Sequence, residues 1–386
     1  MKSRKVFSLV ILFIFIVCLY SFFKSIMFEE IIIGESFGMN SIVCLFLAFI
    51  PILYFLCAKK LEIMKLPFVK SYVIFTIVSY VIALLYSLFY PFDARITYVL
   101  FPLPLLLFIF IYQITSILNS KTIIFFISFL LIMLSVNYFR VYSINYFNGF
   151  RTMASSIFLF FMPFLLTIEK SRIKNIGIVL ILIIIAFSMK RTAFLAFVLG
   201  MIVYFFVNKV LIENKKIKGL FSFISIIFIL LILIFYIIET NDIEIIDRFK
   251  NIKEDGGSGR DVVFDYSLKL IMESSLPELI FGHGFDMVIK DSLLKVSAHN
   301  EFLEITYDFG VISLIIFIVF LINIIKYTYT LIKFKSKYAA PMATSIIIFI
   351  ISSMTSHTYL YTKHMIIFTL FWGYIIACVR KEQIKI

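Results

Sequence analysis

Long apolar runs separated by short polar breaks dominate this chain, and the breaks are too regular to be accidents of a soluble core. Matching runs against breaks predicts helices at 6–23, 41–58, 71–90, 96–118, 122–138, 152–168, 176–188, 192–208, 219–238, 309–326, 339–357 and 365–379. Runs such as 6–23, 41–58 and 220–238 are each long enough to cross a hydrocarbon core of about 30 Å. The pattern changes character once. Between residues 239 and 309 acidic residues, glycines and turn-like pieces replace the runs. Within that stretch, residues 261–274 place apolar side chains at 262, 263, 266, 270 and 271, close to helical spacing. Such a segment lies along a membrane surface more readily than it crosses one. The expected organisation is nine transmembrane helices over 1–238, a long loop with short amphipathic helices over 239–308, and three further helices over 309–386.

The pair 176–188 and 192–208 turns on Lys190 and Arg191, which interrupt an otherwise continuous apolar stretch. Read as one long helix, the stretch would reverse the side of every later connection and put the basic segment 209–218 outside. Two helices joined by a short turn keep that segment inside.

Composition fixes the class. The chain has 386 residues, 62% of them hydrophobic and 15% charged, with a mean hydropathy of +1.06; no soluble domain has such a surface. The fold class is therefore an all-α polytopic membrane protein of about twelve transmembrane helices. A net charge of +13 would suggest nucleic acid in a soluble protein, but here the basic residues are scattered over short connections and set topology, so no nucleic-acid partner is expected. With the N-terminus cytoplasmic, inside connections and termini carry 22 of the 36 Lys and Arg residues. The short outside connections carry only Lys24, Arg95, Arg140, Arg151, Lys190, Arg191 and Lys363. That asymmetry predicts two cytoplasmic termini, an extracytoplasmic 239–308 loop and residence in a bacterial inner membrane. The first run follows Lys2, Arg4 and Lys5 and continues through Leu19 to Phe23 without a small-residue cleavage site, so it reads as a retained helix. Cys18, Cys44, Cys57 and Cys378 lie in or beside apolar runs without CxxC spacing, and neither a disulfide nor a metal is expected.

The residues able to do chemistry concentrate in the long loop. Gly259-Arg260-Asp261 is followed by Pro277, by Gly282-His283-Gly284, by His299-Asn300-Glu301-Phe302-Leu303, and by Gly310 at the entry to the next helix. Taken alone, Arg260 reads either as a loop charge paired with Asp261 or Asp265 or as an anion contact beside the glycines at 256, 257 and 259. His299 reads either as a capping or structural histidine ahead of a helix that starts near Phe302 or as a base titrating near neutral pH. Lys190 and Arg191 are either a topological break with snorkelling side chains or, being basic residues outside, a site. Arg140 and Arg151 bracket a Tyr- and Asn-containing stretch, 141–150, which reads as an outer loop able to contact sugar or phosphate, or to anchor at head groups.

This constellation resembles the conserved region of the O-antigen polymerase and ligase family, the Wzy and WaaL type, and the topology resembles it as well. The resemblance implies a fold similar to the membrane-embedded GT-C glycosyltransferases. It also implies transfer of a glycan from an undecaprenyl-diphosphate-linked oligosaccharide to an acceptor glycan hydroxyl, with no metal and no cofactor. Chain-length regulator and flippase proteins are the candidate protein partners, and membrane lipid surrounds the chain. Carried over to this sequence, the implied catalytic residues are His299, Arg191 and Arg260. Beside them, Lys190, Arg151, Arg140, His283, Asn300 and Glu301 are the candidate substrate contacts. Guanidinium forks suit that role because they bind phosphate oxygens in a bidentate way as charge grows on the leaving group.

A repeat-unit polymerase for capsule or O-antigen leads this reading. A ligase using the same donor and another acceptor is the near alternative. A flippase or transporter is the alternative of another class, disfavoured because such proteins place ionisable residues near the membrane midplane and show internal repeats, whereas here the polar residues gather in one loop.

Overall fold

A computed structural model describes residues 2–29, 46–52, 65–87, 102–147, 156–188, 190–214, 256–292, 295–356, 358–360 and 362–383. The expected helix 219–238 and the start of the polar loop lie outside the described residues, as do the flanks of 41–58. The described residues contain helices and turns and no strand. The helices are α1 (Lys2–Glu29), α2 (Pro67–Ser87), α3 (Leu103–Ile117), α4 (Ser120–Phe147), α5 (Ser156–Leu166), α6 (Ser171–Ser188) and α7 (Arg191–Phe205), which continues in π-helical form over Phe206–Ile212. They are followed by α8 (Gly256–Glu273), α9 (Leu276–Phe281), α10 (Met287–Asp291), α11 (Glu301–Lys333), α12 (Ala339–Thr355) and α13 (Thr362–Gln383). Residues 46–52 are also helical. Among the described residues six helices are long and apolar enough to cross a membrane: Arg4–Lys24, Pro67–Tyr86, Ser120–Val141, Arg191–Ile212, Glu301–Lys333 and Thr362–Glu382. Leu103–Ile117, Ser156–Leu166 and Ala339–Thr355 are shorter apolar helices. The chain is an integral, helical membrane protein. The break at Lys190 is present, so α6 and α7 are separate helices.

The chain divides into two compact units, one of residues 1–63, 96–197 and 361–386, the other of 64–95 and 198–360. In the first, α13 is the central element and its Phe368, Phe371, Trp372 and Ile375 are buried. It lies close along α3, because Gly373 has no side chain: a Cβ there would sit 2.6 Å from the Phe108 carbonyl oxygen. Their C-terminal ends are tied together. Arg380 Nη1 donates to Tyr112 Oη, and Lys381 Nζ donates to the Thr115 and Leu118 carbonyls, each at 2.5 Å. Cations thus occupy the carbonyl end of α3, where the helix dipole favours them.

In the second unit, α2 runs antiparallel to α11 through a ladder of ring pairs, Phe68 with Tyr327, Tyr72 with Phe320 and Phe75 with Phe317, at centroid separations of 5.1, 5.4 and 5.1 Å. Phe349 of α12 adds to the same aromatic core, 6.3 Å from Phe317. Two buried hydroxyls satisfy each other inside it, where Thr76 and Tyr359 share a hydrogen bond of 2.9 Å.

Helix α11 begins eight residues earlier than its apolar run, at Glu301 instead of 309. At about 1.5 Å per residue, its 33 residues exceed the thickness of the hydrocarbon core. The excess is the polar first part, which carries Glu301, Glu304 and Asp308 and ends at Gly310, where φ 77° and ψ 171° break the helical path. Hydropathy alone could not find this start, because those carboxylates are buried by protein and not by lipid.

Candidate functional site

The polar module of the second unit is built on that break. A straight helix would engage the Tyr307 and Asp308 carbonyls with the amides four residues on; the turn at Gly310 releases them. The His283 and Gly284 amides take their place, donating to Tyr307 O at 2.9 Å and Asp308 O at 2.8 Å. The Gly-His-Gly segment is therefore stitched to the kink as a short backbone ladder. Its glycines are required by closeness as well as by φ: Gly282 has φ 82°, and a Cβ there would lie 2.3 Å from the Asp308 carbonyl oxygen. The Tyr86 hydroxyl of α2 donates to the Gly282 carbonyl from the other side.

Each acidic residue at the start of α11 holds a different loop. Glu301 is fully buried, and its carboxylate accepts the Thr358 amide at 3.2 Å and the Leu360 amide at 2.7 Å. Glu304 accepts the Ala298 amide at 2.9 Å. Asp308 accepts the Asp286 amide at 3.0 Å and the Val288 amide at 3.1 Å, which caps α10 from outside its own chain segment. Sequence reasoning singled out neither Glu304 nor Asp308; their four-residue spacing on one face of a helix that also carries Glu301 was the available signal.

His299 and Asn300 sit at the head of this arrangement. Asn300 is the N-cap of α11, its side-chain oxygen accepting the Phe302 and Leu303 amides at 3.0 and 3.3 Å. His299, one residue earlier, is half-exposed and has a left-handed backbone with φ 51°. For a residue with a Cβ that conformation costs about 1 kcal/mol, and it persists because both neighbours are fixed. The cap therefore belongs to Asn300, and His299 is not a capping residue.

His283 has a different environment. Its ring stacks on Tyr307 with centroids 4.0 Å apart, and its Nδ1 lies 3.1 Å from the Tyr307 carbonyl, which can only accept, so Nδ1 is assigned the proton. Its Nε2 lies 3.7 Å from a Glu278 carboxylate oxygen. The Ser275 hydroxyl, and after it the Ser275 amide, hold that Glu278 carboxyl below its usual range, in a reciprocal cap at the start of α9.

Arg260 lies in the first turns of α8, half-buried, on the helix that packs against α10 and α11. Asp261 beside it directs one carboxylate oxygen to the Val262 amide at 2.8 Å. The apolar face of α8 closes over a small core of Met287, Val288, Ala298 and Tyr307, to which Leu270 and Ile271 contribute. Arg260, His283, His299, Asn300 and Glu301 thus belong to one compact unit. Arg191 and Lys190 stand at the first turn of α7 within the other unit, where the Lys190 carbonyl accepts the Phe194 amide at 3.1 Å. Arg140 is exposed near the end of α4, which continues through Phe147; most of the expected outer loop 141–150 is therefore helical, because Tyr142, Tyr146 and Phe147 prolong the apolar pattern past the arginine. Arg151 lies outside the described residues. Among the described residues no three His, Cys, Asp or Glu side chains gather as metal ligands, and neither Cys18 nor Cys378 is in a disulfide.

Residues 176–318 match the family model Wzy_C, described as O-Antigen ligase. The match runs from α6 through the kink of α11 and so includes Arg191, Arg260 and His299, while Arg140 and Arg151 fall before it. No match to a curated protein was found.

Proposed function

We propose that this chain, whose residues 176–318 carry the O-antigen ligase domain in keeping with the O-antigen polymerase and ligase family, is a repeat-unit polymerase of the inner membrane. It transfers glycan from an undecaprenyl-diphosphate-linked donor to an acceptor sugar hydroxyl at the outer face. The match over residues 176–318 supports a membrane glycosyltransferase role of the ligase or polymerase type; the polymerase assignment, the lipid-diphosphate donor and independence from metal are this proposal's own.

The observation that carries it is His299, held in a left-handed turn at the head of α11 in the same unit as Arg260. In this mechanism His299 removes the proton of the acceptor hydroxyl as its oxygen attacks the anomeric carbon. The glycosidic C–O bond to the lipid diphosphate breaks, and the diphosphate leaves with the electron pair. Arg260 stabilises the charge that grows on those phosphate oxygens. Arg191, at a helix N-terminus, is proposed separately as a contact to an anionic phosphate group. The ordered cap at Asn300 and the buried Glu301 keep the entrance of α11 rigid beneath His299. A ligase with another acceptor uses the same steps, and the acceptor supplied in the assay separates the two.

The test is in vitro transfer from a lipid-linked donor across pH 5 to 9 by the wild type and His299→Gln. Glutamine can accept a hydrogen bond from the acceptor hydroxyl but cannot take its proton, so the variant should lose about 10²- to 10⁴-fold in rate. A near-normal rate with an unchanged pH profile would remove His299 from the chemistry.

A further inference from the structure

We infer that Glu304 and Asn300 are positioning residues that together lock His299 in its left-handed conformation and fix where its imidazole is presented. The inference rests on the reading of His299 as the acceptor's base. An L-residue at φ 51° falls back to the extended or right-handed region unless the residues on both sides are held. Both neighbours, Ala298 and Asn300, are held here. The Ala298 amide donates to the Glu304 carboxylate at 2.9 Å, and both residues are buried, so water does not compete for the bond. On the other side, Asn300 accepts two amides of the first helical turn and also directs its Nδ2 to the Met354 carbonyl at 3.5 Å. The Glu304 amide in turn donates to the Asn300 carbonyl at 3.1 Å, which closes a ring around His299. Burying a carboxylate to hold one loop amide is costly. A carboxylate kept in that place makes sense where the geometry of the next residue matters more than the packing an apolar side chain would add.

The experiment is a double-mutant cycle in the full-length protein reconstituted in lipid, using Glu304→Ala, Glu304→Gln, His299→Gln and the Glu304→Ala/His299→Gln pair. Glu304→Ala should lower kcat about ten- to a hundred-fold with little change in donor KM, the scale expected for a displaced catalytic group. Glu304→Gln keeps a carbonyl oxygen for the Ala298 amide and should recover most of that loss. In the His299→Gln background Glu304→Ala should cost nothing further, because there is no base left to position. An equal loss in both backgrounds would make Glu304 a general structural residue and overturn the inference. If His299→Gln alone keeps the wild-type rate, the reading of His299 as base fails and the clamp fails with it, which is a different signature from additivity. Should Glu304→Ala not insert into the membrane, Asn300→Ala enters the same cycle, with Asn300→Asp as its rescue, and additivity there overturns the inference equally.

Discussion

A Cβ placed on Gly310 would lie 2.7 Å from the backbone nitrogen of Gly282, so the end of α9 and the break in α11 meet backbone to backbone. The same Cβ would stand 2.2 Å from the Ile280 carbonyl oxygen. No rotamer relieves a clash with main chain, and φ 77° disfavours any side chain there. Gly310→Ala should therefore destabilise the protein by about 3 kcal/mol or more, read as a fall in apparent Tm in detergent. Gly177→Ala is the contrast. Its Cβ meets the Leu165 Cδ1 at 2.7 Å, and a leucine end can turn away, so its cost should be well below that of Gly310→Ala.

Glu301 supports a second prediction, because removing it strands two buried amides, those of Thr358 and Leu360. Glu301→Ala should cost about 2 to 4 kcal/mol in thermal stability, one unsatisfied buried group being worth about 1 to 3 kcal/mol. Glu301→Gln keeps one acceptor and should cost less. Equal Tm values for the two variants would show that the carboxylate oxygens do not hold the 358–360 turn.

The twofold division of labour along α11 explains what could and could not be read from the sequence. The lipid-facing half announces itself through hydropathy, and so do the break at Lys190 and the helical spacing of 262, 263, 266, 270 and 271 in α8. The Gly282 and Gly310 positions were legible as turn residues, but not as partners, since nothing local says that two glycines 28 residues apart share one contact. Glu304 and Asp308 fall in the stretch that reads as a polar loop, where a carboxylate reads as solvated. Their acceptor role depends on loops returning from 286, 288 and 298, which only the folded chain supplies. Arg140 shows the converse: a basic residue reads as a helix end, while apolar and aromatic residues after it carry α4 on to Phe147.

The α9 cap gives a pH-dependent prediction. Hydrogen bonds from Ser275 depress the Glu278 carboxyl below its usual 4.5. A group whose folded pKa is lowered contributes stability that is present above the unfolded value and is lost as pH falls through the folded one. Acidification below about pH 4.5 should thus loosen the start of α9, and Ser275→Ala should remove part of that acid sensitivity; because it also removes the acceptor for the Glu278 amide, it should lower stability at pH 3 as well. Hydrogen exchange of the 276–281 amides across pH 3 to 6 measures it, and an identical acid profile in the variant would refute the cap's contribution.

Topology is tested by labelling. In a background lacking the native cysteines, Ser258→Cys in α8 and Lys335→Cys after α11 should react with an impermeant maleimide from opposite faces, the first from outside the cell. Labelling of both from one side would overturn the proposed orientation.

The donor electrostatics supply the last prediction. If Arg260 binds a diphosphate through its planar fork, Arg260→Lys preserves the charge but replaces two parallel hydrogen bonds by a single point contact. A charge-assisted hydrogen bond is worth about 1.5 to 3 kcal/mol, so transfer should fall roughly ten-fold or more. Arg260→Gln, which loses the charge as well, should fall further. Because the charge develops as the glycosidic bond breaks, the loss should appear in kcat more than in donor KM. Arg191→Lys is measured independently in the same assay, since it stands on α7 and its contribution is a separate claim. A structural arginine behaves otherwise: Lys would restore an ion pair on the protein surface, the rate would stay at the wild-type level, and only Tm would move. Full-length polymer made at wild-type rate by Arg260→Lys would therefore assign Arg260 to the packing of α8 and leave the leaving-group charge to be stabilised by other residues.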